Sequence, residues 1–375
     1  MKNADSVDYP SINSAYLVMD ALRAIAAFIV VLSHVRNLAM VDFSHGDAAA
    51  RLFYFATGFG HQAVVIFFVL SGFWIAKSIA ARGERFTSSD YMIDRLSRLW
   101  IVVIPAVGLT WMLDRTGLAF GDPTLYQGAW GTNSLPNVTG RLDLAHAVGS
   151  ILFLQQLVIP PIGSNGPLWS TANEFWYYLW YPAIVALIHR RLSILLPSLL
   201  MAWLFPQLLI GFGCWLTGAV LYLAIRRWPL PRPAVRWATL SIGIAVLAGS
   251  LIVSRLSMAG EAIDLLVAAA FAATLAGLLW KPPSRPLPIG RLARFGAQGS
   301  FSLYAIHFPI AALVLSLSLS GRLPFGLVSC AIVVGLSLAI IPAAALFAMA
   351  TEAVTPRLRR SAKALLGRRT GVAAI

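Results

Sequence analysis

The sequence predicts an all-α, polytopic membrane protein of about ten transmembrane helices with both termini in the cytoplasm. Composition, the length of the apolar runs and the placement of Lys and Arg carry that reading. Of 375 residues, 58% are hydrophobic and only 12% charged, and the mean hydropathy is +0.76. A soluble globular chain has roughly 45–50% apolar and about 25% charged residues. So little charge cannot clothe a water-facing surface, which excludes a soluble enzyme, a disordered chain and a small disulfide scaffold. A transmembrane barrel needs alternating segments of about ten residues, and the apolar runs here are continuous and longer.

A span needs about 20 mostly apolar residues. Ten segments qualify: 16–40, 60–80, 96–113, 167–188, 192–205, 207–225, 236–254, 262–280, 299–319 and 326–350. The fifth is short, and Pro206 turns it into the sixth as a tight hairpin. The apolar stretch 146–159 is too short to cross and reads as an interfacial or re-entrant helix. With the amino terminus inside, 22 Lys and Arg fall on the inner side and six on the outer, with Arg23 inside the first span. Basic residues collect in cytoplasmic loops, so this split fixes the orientation; making 146–159 a full span would turn the later basic loops outward. The net charge of +14 is therefore a topological signal, and no nucleic acid is expected as a partner.

The organisation follows: 1–15 a cytoplasmic amino-terminal segment, 16–350 the transmembrane domain, and 351–375 a basic cytoplasmic tail whose simplest role is to anchor on anionic inner-leaflet lipid. The first fifteen residues lack the pattern of a cleavable signal peptide. Cys214 and Cys330 lie in apolar runs without spacing pattern and read as small core residues. No metal is expected.

Charged groups inside a span are costly, so they are functional candidates. In the first span Asp20, Arg23 and His34 interrupt an apolar helix. At about 100° per residue they share one face over about 21 Å, and that face must look into protein or water. Ser71 and Gly72 in FFVLSGF form a notch for a close helix or a narrow ligand. Arg95 and Arg98, three apart, mark the inner mouth of the third span, by positive-inside bias or as a clamp for a phosphorylated donor. The fourth span opens NGPLWSTANEFWYYLWYP. There Trp169, Ser170, Asn173 and Tyr178 surround Glu174, its one carboxylate, as an interfacial aromatic belt or a platform for a sugar ring. In the ninth span, SLYAIHFP places Tyr304 and His307 three apart, and His307 reads as a satisfied structural histidine or a substrate contact.

Taken together, Arg23 followed after ten residues by His34, FFVLSGF, RLSRLW, GPLWSTANEFWYYLWYP and SLYAIHFP resemble the integral-membrane acyltransferase-3 family, in order over about 300 residues. The resemblance implies transfer of an acyl group, commonly acetyl, from cytosolic acyl-CoA to a hydroxyl of a glycan, glycolipid or related envelope compound, in a bacterial cytoplasmic membrane. It carries the family's first-span Arg and His onto Arg23 and His34, its SGF notch onto Ser71 and Gly72, its basic pair onto Arg95 and Arg98, and its acidic position onto Glu174. Phe175 stands where a second acid is usual and Asn173 where an aliphatic residue is, both on the acceptor side.

Under that reading His34, with an ordinary pKa near 6.5, is the general base. Arg23 stabilises negative charge or positions the donor, Arg95 and Arg98 grip CoA phosphates, and Glu174 orients the imidazole or holds the acceptor. The bilayer and a glycan or glycolipid acceptor are the expected partners; oligomeric state is not legible. A proton-coupled transporter is the alternative that a buried His, Arg and Glu also describe. The paired half-repeats of broken spans that such carriers often show are not evident.

Overall fold

The computed structural model describes residues 10–131, 134–155, 157–188, 195–228, 231–256, 262–280 and 290–370. Among them the chain is helical, with two isolated bridges, Met40–Leu323 and Gln155–Ile159, and no strand. Lys2, Arg190, Arg191, Lys281 and Arg285 of the charge count lie outside the described residues, as do 1–9 and 371–375.

Among the described residues, eight helices are long and apolar enough to cross a membrane: Tyr16–Ala39, Ala48–Arg85, Ser88–Phe120, Leu208–Arg227, Pro233–Leu256, Ala262–Leu279, Ser300–Ser318 and Leu327–Ala364. They coincide with eight of the ten expected spans. The fourth expected span is the helix Trp169–Ile188, whose 20 residues reach about 30 Å at 1.5 Å per residue. Its polar and aromatic opening, WSTANEFWYY, lowers its hydropathy without shortening it. The fifth is the ten-residue helix Leu195–Leu204, short as its sequence implies. The third is longer than its apolar run: the helix Ser88–Phe120 begins eight residues before 96. Thr87 caps it, its Oγ1 accepting from the Asp90 amide at 3.3 Å, so a charged first turn is helical although it is not apolar.

The chain forms two compact units. The first comprises Met1–Ala26, Gln62–Ala80 and Ile210–Gln298. It holds the start of α1 (Pro10–Ala39) and most of α3 (Gly60–Arg82), which follows α2 (Ala48–Ala56). Later helices are numbered in chain order: α4 (Ser88–Phe120), α5 (Pro123–Tyr126), α6 (Leu144–Ile151), α7 (Trp169–Ile188) and α8 (Leu195–Leu204). The first unit adds α9 (Leu208–Arg227), α10 (Pro233–Leu256), α11 (Ala262–Leu279) and α12 (Gly290–Gln298). In it, α3 and α9 touch backbone to backbone. A Cβ on Gly72 would lie 1.9 Å from the Trp215 carbonyl oxygen, and one on Gly218 would lie 1.8 Å from that of Val69. The notch read from FFVLSGF is thus filled by a helix. Gly72→Leu should force α3 and α9 apart and destabilise the unit by about 1–3 kcal/mol or more, read as a lower melting temperature of the detergent-extracted protein.

The second unit comprises Ala27–His61, Ala81–Leu209 and Gly299–Ile375, and includes α13 (Ser300–Ser318), α14 (Leu327–Ala350) and α15 (Thr355–Thr370). Helices α4 and α13 pack along each other at its centre. The stretch 146–159 is helical only as far as Ile151, and it runs antiparallel beside α4. Trp111 Nε1 donates to the Leu142 carbonyl at 3.2 Å and Trp100 Nε1 to that of Ile151 at 2.9 Å. The chain then returns, and the Ser164 amide and hydroxyl both donate to Asp114, at 2.6 and 2.7 Å. Entry level with Trp111, a tip level with Trp100 and exit level with Asp114 describe a re-entrant hairpin. Irregular backbone at such depth needs internal partners, and the Leu154 carbonyl supplies one by accepting from the amides of Leu157 and Val158.

Candidate active site

The site is built on three helices of the second unit, α1, α7 and α13. His34 lies on the α1 segment of this unit and remains part-exposed. His307, on α13, is fully buried. His34 Nδ1 and His307 Nε2 are 2.8 Å apart. The ring planes agree within 4° with centroids 5.1 Å apart, so the imidazoles lie edge to edge in one plane, as an N–H···N bond requires.

The protons follow from the far end. His307 Nδ1 faces the Tyr304 carbonyl at 2.8 Å and the Leu303 carbonyl at 3.2 Å. A carbonyl only accepts, so His307 Nδ1 carries the hydrogen and, in the neutral ring, Nε2 presents a lone pair. His34 Nδ1 must then donate to it, which leaves the lone pair of His34 on Nε2. Two backbone carbonyls on α13 thereby set the tautomer of a ring on α1. Phe308 stands edge-on to His34 at 5.4 Å and walls the pair.

Tyr304 carries the network to α7. Its hydroxyl donates to the Pro167 carbonyl at 2.7 Å and accepts from Ser170 Oγ at 2.7 Å. It also lies in the field of Glu174. Glu174 accepts from the Tyr178 hydroxyl one turn further on. The Arg95 guanidinium, from α4, sits 5.9 Å from the centroid of the Tyr178 ring and 5.8 Å from that of Tyr91, and Arg98 acts electrostatically on Tyr178 as well. Arg95 Nε is buried without a hydrogen-bond partner. Ser170, Tyr304, His307 and His34 therefore form one hydrogen-bonded polar chain, with Tyr178 and Glu174 a second run that acts on Tyr304 electrostatically and carries the basic pair at its other end.

Of the remaining sequence candidates, Trp169 and Asn173 lie in the same unit. Trp169 is stacked on His61 with centroids 6.2 Å apart, and Asn173 is half-buried on α7. Arg23 belongs to the first unit, where Asp20 lies in its field and in that of Arg294. Ser71 Oγ, also there, accepts from Trp215 Nε1 at 3.2 Å. The nitrogen of His34 that an orienting carboxylate would engage is taken by His307, and Glu174 stands off that chain beside Tyr304 and Tyr178. His307, read as a substrate contact or a structural histidine, is buried behind His34.

Sequence reasoning missed three buried supports. Asp114 holds the loop before α7, and its oxygen lies where a Cβ on Gly163 (φ +47°) would come within 2.1 Å. Asn165 Nδ2 ties that loop to Thr110 Oγ1 on α4 and to the Ala305 carbonyl on α13, each at 2.9 Å. Gln155, at the re-entrant tip, donates to the Leu168 carbonyl at 2.9 Å. Their signal was a lone polar residue in an apolar setting. Outside the membrane, Asp122 accepts from the Thr124 amide and hydroxyl and from Trp130 Nε1, which holds its carboxyl below the usual range.

Comparison with known proteins places the site in a context. A stretch of 167 residues, 43% of this chain, is 30% identical to a protein from Shigella phage Sf6 named O-acetyl transferase. The match spans 43% of that relative's length. No solved structure matches the chain. The family model described as acyltransferase domain matches residues 16–344, nearly all of the membrane part. The chain belongs to the acyltransferase-3 family of integral-membrane acyltransferases.

Proposed function

We propose that this acyltransferase moves an acyl group, acetyl foremost, from cytosolic acyl-CoA to a hydroxyl of a glycan, glycolipid or related envelope compound in a bacterial cytoplasmic membrane, with His34 as general base. The observation that carries the reading is the tautomer set by His307, which leaves the lone pair of His34 on Nε2. The O-acetyl transferase named among its relatives supports acetyl as the group moved.

An acceptor hydroxyl attacks a thioester poorly unless a base removes its proton as the new bond forms. In the proposed step His34 Nε2 takes that proton while the hydroxyl oxygen bonds to the acyl carbon. The carbon–sulfur bond then breaks, and the imidazolium returns the proton to the departing thiolate. The His34 Nδ1–H bond to His307 persists throughout, so the ring stays in place while its charge changes. Glu174 and Tyr178 hold the acceptor side. Arg95 and Arg98 suit the phosphates of the donor, since neither pairs with a carboxylate among the described residues and a buried guanidinium N–H of Arg95 lacks a partner.

Detergent-purified protein given acyl-CoA labelled in its acetyl group should transfer label into an envelope fraction, in a form released by mild alkali as an O-ester is. Replacing Arg95 and Arg98 together by Ala should raise the donor KM about 10- to 100-fold with the acceptor KM little changed, as loss of charge-assisted contacts predicts. Absence of transfer by the intact protein, or an unchanged donor KM, would sink the corresponding part of the reading.

A further inference from the structure

The carboxyl-terminal helix α15 packs on α4. Glu352, just before α15, accepts from the amide and hydroxyl of Ser302 at 3.0 and 2.7 Å, which ties the tail to the first turn of α13. Four and eight residues after Thr355, the helix presents what its sequence spacing only half suggests: Arg359 and Lys363, one turn apart, face α4, while Arg357 and Arg360 point to solvent. The facing pair meets Asp94, which is 4% exposed. Arg359 Nε and Lys363 Nζ each lie 3.1 Å from Asp94 Oδ1. Arg82 donates to Oδ2, and Lys363 also lies 3.6 Å from Asp90.

One carboxylate therefore gathers three cations. Positions 90, 94 and 98 fall on one face of α4, four residues apart, so Arg98 follows Asp94 one turn up on the face that α15 covers, with Arg95 beside it. Asp94 Oδ1, Arg359 Nε and Arg82 Nη1 are buried without a directed hydrogen bond, so these are charge contacts whose donors retain unspent hydrogen-bonding capacity. Five basic side chains sit at one end of α4: Arg82, Arg359 and Lys363 on Asp94, with Arg95 and Arg98 in the next turn and Asp90 at the rim. Such an excess of partly buried positive charge around one carboxylate is unfavourable alone and suits an anion with several negative groups. An arginine fork and a lysine point charge are the donors that phosphates take.

We infer that α15 is part of the donor site: Arg359 and Lys363, parked on Asp94 beside Arg98, bind the phosphates of the nucleotide end of acyl-CoA. This rests on the acyl-CoA reading above and extends it to the tail. The shared chemistry is a phosphate-bearing anion, so anionic lipid headgroups are the competing source.

The test is calorimetric binding of coenzyme A to the full-length protein in nanodiscs of zwitterionic lipid, where no anionic headgroup is present. The double variant Arg359→Gln/Lys363→Gln should weaken coenzyme A binding by about 10- to 100-fold, the range that follows from losing one or two charged hydrogen bonds. Arg357→Gln/Arg360→Gln, on the solvent face, should change it less than about 2-fold. Because the Gln pair also leaves Asp94 with Arg82 as its one cation among the three, Arg359→Lys/Lys363→Arg serves as the second variant; it keeps both charges and should bind within a few-fold of the intact protein. Equal affinity in the Gln pair and the intact protein would overturn the inference, and a melting temperature that rises with anionic lipid only in the intact protein would assign the pair to headgroups. If the intact protein fails to bind coenzyme A at all, the donor reading itself fails, a result distinct from either.

Discussion

His34→Gln, His34→Asn and His34→Ala are each expected to insert normally and to lose acyl transfer by about 10²–10⁴-fold, the usual contribution of general acid–base catalysis. The amide variants are the informative ones. Gln and Asn can still donate a hydrogen bond toward His307 Nε2, so the contact across the two helices survives in part, but neither offers a nitrogen able to accept a proton at neutral pH. A structural histidine would tolerate them; a base cannot be replaced by them. The measurement is esterified acceptor formed per unit of monodisperse protein, with binding of coenzyme A as the control that the donor site is intact. Near-normal turnover in His34→Gln would remove the base from His34 while leaving the family assignment untouched.

The helices were legible because an apolar run of 20 residues has few other fates, and His34 was legible because a histidine is conspicuous in such a run. The partners were not, since the nearest covalent route from His34 to His307 is 273 residues and nothing in the local pattern of either helix selects the other. The same limit explains Asp94. Its position in RLSRLW's helix reads as a charged inner edge, and only the folded tail shows it ringed by Arg82, Arg359 and Lys363. Boundaries failed where polarity and helicity part: α4 extends back through Asp90 and Asp94 because a cap and long-range ion pairs satisfy groups that a hydropathy window counts as breaks. In α7 the aromatic residues do the reverse, lowering the apparent apolarity of a helix that is nonetheless 20 residues long. Glu174 was singled out as the one carboxylate of its span, yet its place beside the polar chain depends on Tyr178 and Tyr304, one on its own helix and one on α13.

His307→Leu should lower kcat by about 10²-fold with the donor KM little changed, although His307 is buried and behind His34. The reason lies in the proton on His34. With Leu at 307, His34 Nδ1 has no lone pair to donate to, and the ring is free to adopt the other tautomer or to turn, so the lone pair at Nε2 is no longer fixed. Loss of a group that orients a catalytic imidazole costs from about 10–100-fold for the outer partners of a metal-bound histidine to about 10⁴-fold when the wrong tautomer results. His307→Gln distinguishes this from a packing defect. Its carbonyl oxygen can take the place of Nε2 as acceptor from His34, while its amide can still donate toward the α13 backbone. Activity within about tenfold of the intact protein is therefore expected for Gln, with a clear loss for Leu at equal yield and melting temperature. If both variants lose activity in proportion to stability, His307 only fills space. If both remain active, the tautomer of His34 is set by something other than the Tyr304 and Leu303 carbonyls, and the route from α13 to the base is broken at its first link.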